Sequence, residues 1–284
     1  MKLVLNQSLL LDGRRGLSML ADAEEAAREY LSIKKLEKHP DFLMIGISEN
    51  KKSIGVDDLG EFMEKAYLRP AIAQKQVFII DGIDLFTVAA QNKILKVLED
   101  CQNVIVLAIA YSGGVLATIR SRLVPVKYLP LSFESYLREG GDTPENRILF
   151  YLTNGCPGMK QEMEPYVSAF LSVAKAVAEK APEELLRIFH LVREKDKESI
   201  ALTPYVKNTI MFLKAALMQE MLLLEGKEAD MPLLGTQKED CPYDRASLCA
   251  AIKILTDNEE KCSLTVYSKD NLFQMFVKLI AVLK

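Results

Sequence analysis

Short apolar runs alternate with amphipathic stretches through the first 131 residues of the chain. The runs are nearly continuous in apolar side chains, which is typical of strands buried on both faces of a sheet. The predicted strands are residues 8–11, 41–47, 77–80 and 104–110, and the predicted helices are residues 18–31, 57–66 and 87–100. This alternation predicts an α/β domain with a parallel sheet that helices cover on both faces.

The pattern changes after Pro130, where apolar residues recur only at helical spacing and no further strand is predicted. The predicted helices here are residues 133–138, 144–153, 159–180, 182–195, 203–226, 242–256 and 268–283. We therefore expect three domains: an α/β domain over 1–131, a small helical domain over 132–180 and an all-α bundle over 181–284.

The composition of the chain narrows the classes of function that the protein can have. Hydrophobic residues make up 49% of the chain and charged residues 26%, as in ordinary globular proteins, and the net charge of −3 argues against a strongly basic nucleic-acid binder. The five cysteines form no C-x-x-C pair, so the sequence predicts neither a metal site nor a disulfide framework. Because no apolar run approaches membrane-spanning length, we expect a cytoplasmic protein without a membrane partner.

The first strand-to-helix junction lies where an ATPase carries its phosphate-binding loop. Such a loop needs glycines, a lysine for the terminal phosphates and a hydroxyl for magnesium. Gly13 and Gly16 have the correct spacing, but Ser18 takes the third glycine position, Met19 the lysine position and Leu20 the hydroxyl position. Neither Met nor Leu can supply the missing chemistry.

The magnesium-binding part of such a site, at the end of the 77–80 strand, also lacks one of its usual residues. Asp81 could help to hold magnesium, but the glutamate that often stands beside such an acid is replaced by Gly82. Asp81 can equally be a turn acid at a strand end, and Asp84 a turn or capping residue. We therefore expect no cofactor and no self-contained ATP hydrolysis: the chain is predicted not to be an enzyme by itself.

Several stretches resemble the delta-prime subunits of the bacterial DNA polymerase III clamp loader, which belong to the AAA+ superfamily. The matching stretches are His39-Pro40-Asp41-Phe42, Lys75 to Asp81, Ala89 to Glu99 and Thr118-Ile119-Arg120-Ser121-Arg122, with weaker matches at Asn154 to Gly158 and Lys269 to Leu272. The chain departs from the family in two ways: the zinc-binding cysteines that often precede the His-Pro-Asp motif are absent, and Leu123 replaces the usual cysteine.

The resemblance implies an AAA+-like α/β domain, a helical lid over 132–180 and a collar over 181–284 that joins the subunits into a ring. It also implies a non-hydrolysing subunit of the DNA polymerase III holoenzyme, which supports assembly while ATP is hydrolysed in partner subunits. Arg122 would be an arginine finger acting in trans on the ATP of a neighbouring subunit, with Ser121 positioning the turn and Arg120 a secondary candidate. The implied partners are the tau/gamma ATPase subunits and the delta subunit, and indirectly the sliding clamp and primer-template DNA.

Other interpretations remain open from the residues alone. Arg122 can be a surface arginine after a strand, the chain can be an active P-loop ATPase with an irregular nucleotide site, or it can be a nucleic-acid-binding adaptor. Met19 and Leu20 argue against the ATPase, and the near-neutral charge argues against the adaptor.

Overall fold

The fold is taken from a computed structural model that describes residues 2–47, 53–111, 113–179, 181, 185, 202–227, 241–264 and 269–284. The chain divides into two compact units, Met1–Pro130 and Leu131–Lys284. The predicted helix at 182–195, except residue 185, and most of the loop after residue 226 lie outside the described residues. The further division of the second unit into a lid and a collar stays a prediction.

The N-terminal unit contains a five-stranded, entirely parallel sheet with strand order β2-β3-β4-β1-β5. Its strands are β1 (Leu9–Asp12), β2 (Phe42–Gly46), β3 (Gln76–Asp81), β4 (Val104–Ala110) and β5 (Val124–Lys127). Its helices are α1 (Met19–Leu31), α2 (Gly60–Ala66), α3 (Val88–Asp100) and the single turn α4 (Ala117–Arg120). The predicted α/β class with a parallel sheet is confirmed.

Both faces of the sheet are buried, as the continuous apolar runs predict. Successive side chains of a strand point to opposite faces, and in β3 the residues Phe78 and Ile80 enter one hydrophobic cluster while Val77 and Ile79 enter the other. Helix α1 covers the second cluster, and α2 and α3 cover the first. Because both faces of the sheet are buried, polar and apolar residues do not alternate along the strands.

The edge strand β5 was not predicted. It is four residues long, pairs with β1 from Leu9↔Val124 to Asp12↔Lys127, and is mostly exposed. Pro125 lacks a backbone N–H, which confines such a residue to a sheet edge or a bulge. A short edge strand with a proline therefore lacks the apolar run that marks its neighbours.

The C-terminal unit is helical throughout its described part. Its helices are α5 (Phe133–Gly140), α6 (Pro144–Thr153), α7 (Lys160–Met163), α8 (Val167–Ala178), α9 (Leu202–Leu224), α10 (Arg245–Leu264) and α11 (Lys269–Leu283). The prediction of one helix over 159–180 is wrong, because a 3₁₀ turn at Glu164–Tyr166, with Pro165 near its start, separates α7 from α8. Proline cannot donate the backbone hydrogen bond that a helix interior needs.

One hydrophobic cluster runs through this unit, from α5 to α11. The rings of Phe170 on α8 and Phe212 on α9 meet edge to face with their centroids 4.8 Å apart. The Tyr243 hydroxyl, just before α10, donates to the Val177 carbonyl at 2.7 Å. The helices of the predicted lid and those of the predicted collar therefore share buried contacts.

Candidate functional site: the carboxyl edge of the sheet and the arginine turn

The carboxyl ends of the parallel strands form the edge at which an ATPase sheet binds nucleotide. The register places Asp12 opposite Ala110, and Gly46 opposite Asp81. The predicted phosphate-loop junction follows β1 at this edge, and the predicted magnesium acid ends β3. The parts predicted to form a degraded nucleotide site are therefore brought together.

The phosphate-loop junction is closed by the side chains of its own chain. Met19, at the lysine position, is completely buried in the cluster under α1. A Cβ atom on Gly13 would lie 2.8 Å from the Tyr128 Cβ and 3.0 Å from the Met19 Sδ, so the loop backbone packs directly on these two residues. Gly16 retains the left-handed conformation, with φ of 88°.

Tyr128 closes the junction from the far end of the edge strand. Its hydroxyl donates to the Asp22 carboxylate in α1 at 2.7 Å, and Ser18 donates to the same oxygen at 3.2 Å. Burial and the hydrogen bond to Asp22 raise the pKa of the Tyr128 phenol, so the phenol stays protonated and remains a donor at neutral pH. These residues do not fit a triphosphate, because the side chain at the lysine position, Met19, is uncharged and completely buried.

Tyr111, the residue after β4, engages the predicted magnesium acid. The Tyr111 hydroxyl donates to the Asp81 carboxylate at 2.6 Å, while the Tyr111 backbone N–H donates to the Asp84 carboxylate at 3.0 Å. Burial and the hydrogen bond to Asp81 raise the pKa of the Tyr111 phenol. Both acids therefore have partners within the chain, and Asp84 anchors the end of β4. Among the described residues, no group of three His, Cys, Asp or Glu side chains could hold a metal ion.

Arg120, the secondary candidate, points back to the same edge. Its Nη1 lies 3.0 Å from the Asp12 carboxylate, and its Nη2 lies 3.4 Å from the Gly113 carbonyl. An arginine held in this way joins the end of β1 to the loop after β4.

Helix α3 fixes the segment that leads to the arginine turn, residues 118–122. It begins after Thr87, whose hydroxyl accepts from the Ala90 N–H at 3.2 Å. One turn later the buried Gln91 side chain donates to the Phe86 and Gly114 carbonyls at 3.1 and 3.0 Å and accepts from the Leu116 N–H at 2.9 Å. The segment before α4 is thus tied to α3 by two hydrogen bonds of one buried amide, to Gly114 and Leu116, and a third bond joins that amide to Phe86.

Arg122 follows Ser121, the residue that caps the end of α4. Its Nη1 donates to the Thr118 carbonyl at 3.0 Å and to the Ser121 hydroxyl at 3.4 Å, and its Nη2 pairs with the Glu99 carboxylate on the last turn of α3. Ser121 in turn donates to the Thr118 carbonyl at 2.9 Å. The Arg122 side chain remains 38% exposed.

Topology separates Arg122 from the closed nucleotide junction of its own chain. Arg122 immediately precedes β5, and its partner Glu99 lies in the segment that leads into β4. Both residues therefore lie toward the amino ends of the strands, whereas Gly13, Asp81 and Tyr128 lie at the carboxyl ends. The Arg122 guanidinium contacts Thr118, Ser121 and Glu99, none of which belongs to the phosphate-loop junction that follows β1.

Four residues of this region have roles that sequence reasoning missed. Tyr111 and Tyr128 close the nucleotide junction, while Gln91 and Glu99 anchor the arginine turn. A polar side chain in the middle of an amphipathic helix was an available signal for Gln91. The other three pairings join residues distant in sequence, which no local pattern encodes.

Residues 5–132 match the family model described as DNA polymerase III, delta subunit. They span the whole sheet, the closed junction and the arginine turn. Residues 5–132 are therefore similar to the delta-subunit family of DNA polymerase III. This match supports the predicted resemblance to clamp-loader subunits, and the delta-prime assignment stays a prediction.

Curated relatives of the clamp loader match a shorter part of the chain. The DNA polymerase III gamma/tau subunits of Mycobacterium bovis and Mycobacterium tuberculosis are each 35% identical over 80 residues. These residues are 27% of this chain and 14% of the relatives, so the chain matches about a seventh of their length.

Among solved structures, the chain has a weak similarity to a gamma subunit-related protein of DNA polymerase III from Thermotoga maritima, which is 18% identical, with a TM-score of 0.48, over 98% of this chain and 95% of that chain. The clamp loader delta protein of Bacillus subtilis is 12% identical, with a TM-score of 0.34 and the same coverage of both chains. The RuvB branch migration motor of Thermotoga maritima is 17% identical, with a TM-score of 0.38, and covers 60% of this chain and 56% of its own. Within the described ranges, no helix is long and apolar enough to cross a membrane.

Proposed function

We propose that the chain is the delta-prime-type subunit of a cytoplasmic DNA polymerase III clamp loader, which itself neither binds nor hydrolyses ATP. It supports assembly with the tau/gamma ATPase subunits and the delta subunit, and it takes part in loading the sliding clamp onto primer-template DNA. Arg122 completes the ATP site of a neighbouring ATPase subunit, and Ser121 shapes the turn that presents it.

The observation that carries the proposal is a contrast between two sites of one domain, of which one is closed by side chains and the other exposes an arginine. The phosphate-loop junction is closed by the buried Met19 and by Tyr128. Arg122, in contrast, is 38% exposed and held on a fixed turn near the other end of the strands. A domain that has lost its own catalytic groups but keeps an ordered, exposed arginine suits a role in trans.

The chemistry of Arg122 fits that role. A guanidinium is planar, permanently charged and able to donate to two phosphoryl oxygens at once. Such a group stabilises the charge that spreads over those oxygens in the transition state, and arginines supplied in trans contribute roughly 10³ to 10⁵ in rate in well-studied GTPases. The irregular-ATPase alternative requires a cation at Met19, which the burial of that residue opposes.

The proposal is tested in two steps. Titration of the purified chain with MgATP in a calorimeter should give no binding heat at micromolar nucleotide. Complexes of the tau/gamma and delta subunits should then hydrolyse ATP faster in the presence of DNA and clamp when this chain is added. Micromolar MgATP binding by the chain alone would support the ATPase alternative, and an ATPase rate independent of the chain would contradict the role in trans.

A further inference from the structure

Glu99 and Arg122 form an ion pair between the last turn of α3 and the arginine turn. The two side chains are exposed to similar extents, 39% for Glu99 and 38% for Arg122. Their pairing adds a third contact to the two that Arg122 makes within its own turn, to the Thr118 carbonyl and the Ser121 hydroxyl. The guanidinium is thus held from two different elements of the fold.

Helix α3 is a rigid support for that contact. Ile94 and Val97 pack its inner face into the core, and Thr87 caps its first turn. Near its start α3 also fixes the segment before α4 through the hydrogen bond between Gln91 and the Leu116 N–H. The arginine turn is therefore attached to one helix at both ends, through Gln91 near the start of α3 and through Glu99 at its end.

The contacts leave the guanidinium able to bind an anion. Arginine has five N–H donors, and three contacts to Arg122 are formed within the part of the chain that the structure describes. Two donors remain for phosphoryl oxygens. Because the Glu99 carboxylate is itself solvent-exposed, water and salt screen its charge, so it fixes the guanidinium without cancelling its attraction for an incoming phosphate.

We infer that Glu99 is a positioning residue for Arg122, which holds the guanidinium in place before the triphosphate of a neighbouring subunit arrives. This inference rests on the proposed function of Arg122. A free arginine side chain samples many rotamers, and ordering it at the moment of reaction slows the step. Because the pair with Glu99 already restricts the Arg122 side chain, less ordering of that side chain is needed during the reaction.

The position of the guanidinium can be tested on the isolated chain, without any partner. Glu99→Gln keeps the size of the side chain and removes the charge, and Asp100→Asn is the matched control because Asp100 contacts Tyr67 at 3.4 Å and not the arginine turn. Labelling with phenylglyoxal, followed by peptide mass spectrometry, should show Arg122 reacting about two- to five-fold faster in Glu99→Gln, the range expected for an exposed ion pair. Arg120, paired with Asp12, should not change in either variant. Equal labelling of Arg122 in all three proteins would overturn the inference.

The catalytic consequence is measured in the reconstituted clamp loader. Glu99→Gln should lower kcat of the stimulated ATPase by about two- to five-fold, and it should have no further effect once Arg122 is alanine, because Glu99 acts through that residue. A loss from Glu99→Gln that persists in the Arg122→Ala background, or an unchanged or raised kcat, would overturn the inference. If Arg122→Ala itself leaves kcat unchanged, the proposed function fails instead, while the labelling result on the isolated chain still decides whether Glu99 holds the guanidinium.

Discussion

Asp41, in the His-Pro-Asp segment before β2, holds the loop that leads into β3. Its carboxylate is buried and accepts backbone N–H groups from Ala71 at 2.6 Å and from Ile72 and Ala73 at 2.8 Å each. Burial alone would raise the pKa of Asp41, but the three N–H donors, together with His39, lower it below the ordinary value of 3.8. The ionised form is therefore the one that the fold stabilises.

Replacing Asp41 with Asn should destabilise the N-terminal unit by about 2–4 kcal/mol. The amide oxygen of Asn can still accept from the Ile72 and Ala73 N–H groups, which now contact Oδ2. The amide NH₂ would then face the Ala71 N–H, so two hydrogen-bond donors would meet with no acceptor between them. Hydrogen bonds to a charged group contribute about 1.5–3 kcal/mol each, and a buried unsatisfied donor costs about 1–3 kcal/mol. The loss is a large share of the roughly 5–15 kcal/mol that stabilises a typical protein.

The assay is urea unfolding of the fragment 1–130, followed by circular dichroism at pH 7, because both hydrophobic clusters of the sheet lie within these residues. Asp57→Asn is the control, since Asp57 is an exposed residue at the start of the 3₁₀ turn Asp57–Leu59. It should change the free energy of unfolding by no more than about 0.5 kcal/mol.

The pH dependence gives a second check on Asp41. Because the folded-state pKa is lowered, the stabilisation is fully present above about pH 4 and is lost as the pH falls through the folded value. The difference between wild type and Asp41→Asn should therefore shrink below pH 4. A difference under 0.5 kcal/mol at pH 7, or one that does not change with pH, would refute the assignment of the carboxylate as the anchor of this loop.

Three further predictions concern the junction, the arginine turn and assembly. Met19→Lys should restore the residue type of a phosphate loop without restoring ATP binding. In urea unfolding it should destabilise the fold by about 3–5 kcal/mol because it buries an unpaired charge, whereas Met19→Leu should cost less than about 1.5 kcal/mol. Tight MgATP binding by the lysine variant would contradict the closed junction. Gln91→Leu should speed hydrogen exchange of residues 114–122, since the two hydrogen bonds from Gln91 to Gly114 and Leu116 are lost; unchanged exchange would mean that Gln91 is not the anchor. The fragment 1–130 should fold but fail to co-elute with the tau/gamma and delta subunits, and co-elution at full stoichiometry would show that the helical unit does not drive assembly.

The central strands and the chemistry of the nucleotide junction could be predicted from sequence because both are local properties. Strands β3 and β4 are continuous apolar runs, and the loss of a phosphate-binding lysine is visible in the identity of Met19. The boundary of the assembly fragment at residue 130 depends on tertiary contacts, because Phe170 and Phe212, which pack on each other, both belong to the second unit.

The remaining features depend on contacts between distant residues. Tyr128 reaches Asp22 across 106 positions of the chain, and Arg122 reaches Glu99 from another element. Neither pairing leaves a local pattern, and the edge strand β5 is defined by its partner β1 more than by its own four residues. Sequence therefore indicated which groups of a phosphate loop are absent from the junction after β1, but not that Tyr128 and Asp22 pair beside it.

The most direct test of the account is steady-state ATP hydrolysis by clamp loaders rebuilt with Arg122→Ala. Arg138→Ala, which removes an exposed arginine from α5, is the matched control for a lost surface charge. We expect both variants to fold and assemble, and Arg122→Ala alone to lower kcat of the DNA- and clamp-stimulated ATPase by removing the contribution of the site that it completes. Nucleotide affinity should change less than turnover, because the guanidinium acts on charge that develops in the transition state. Arg122→Lys should restore only part of the rate, since an ammonium cannot reproduce the planar fork. A fully assembled Arg122→Ala complex that hydrolyses ATP at the wild-type rate would contradict the account and leave the chain a purely structural member of the complex.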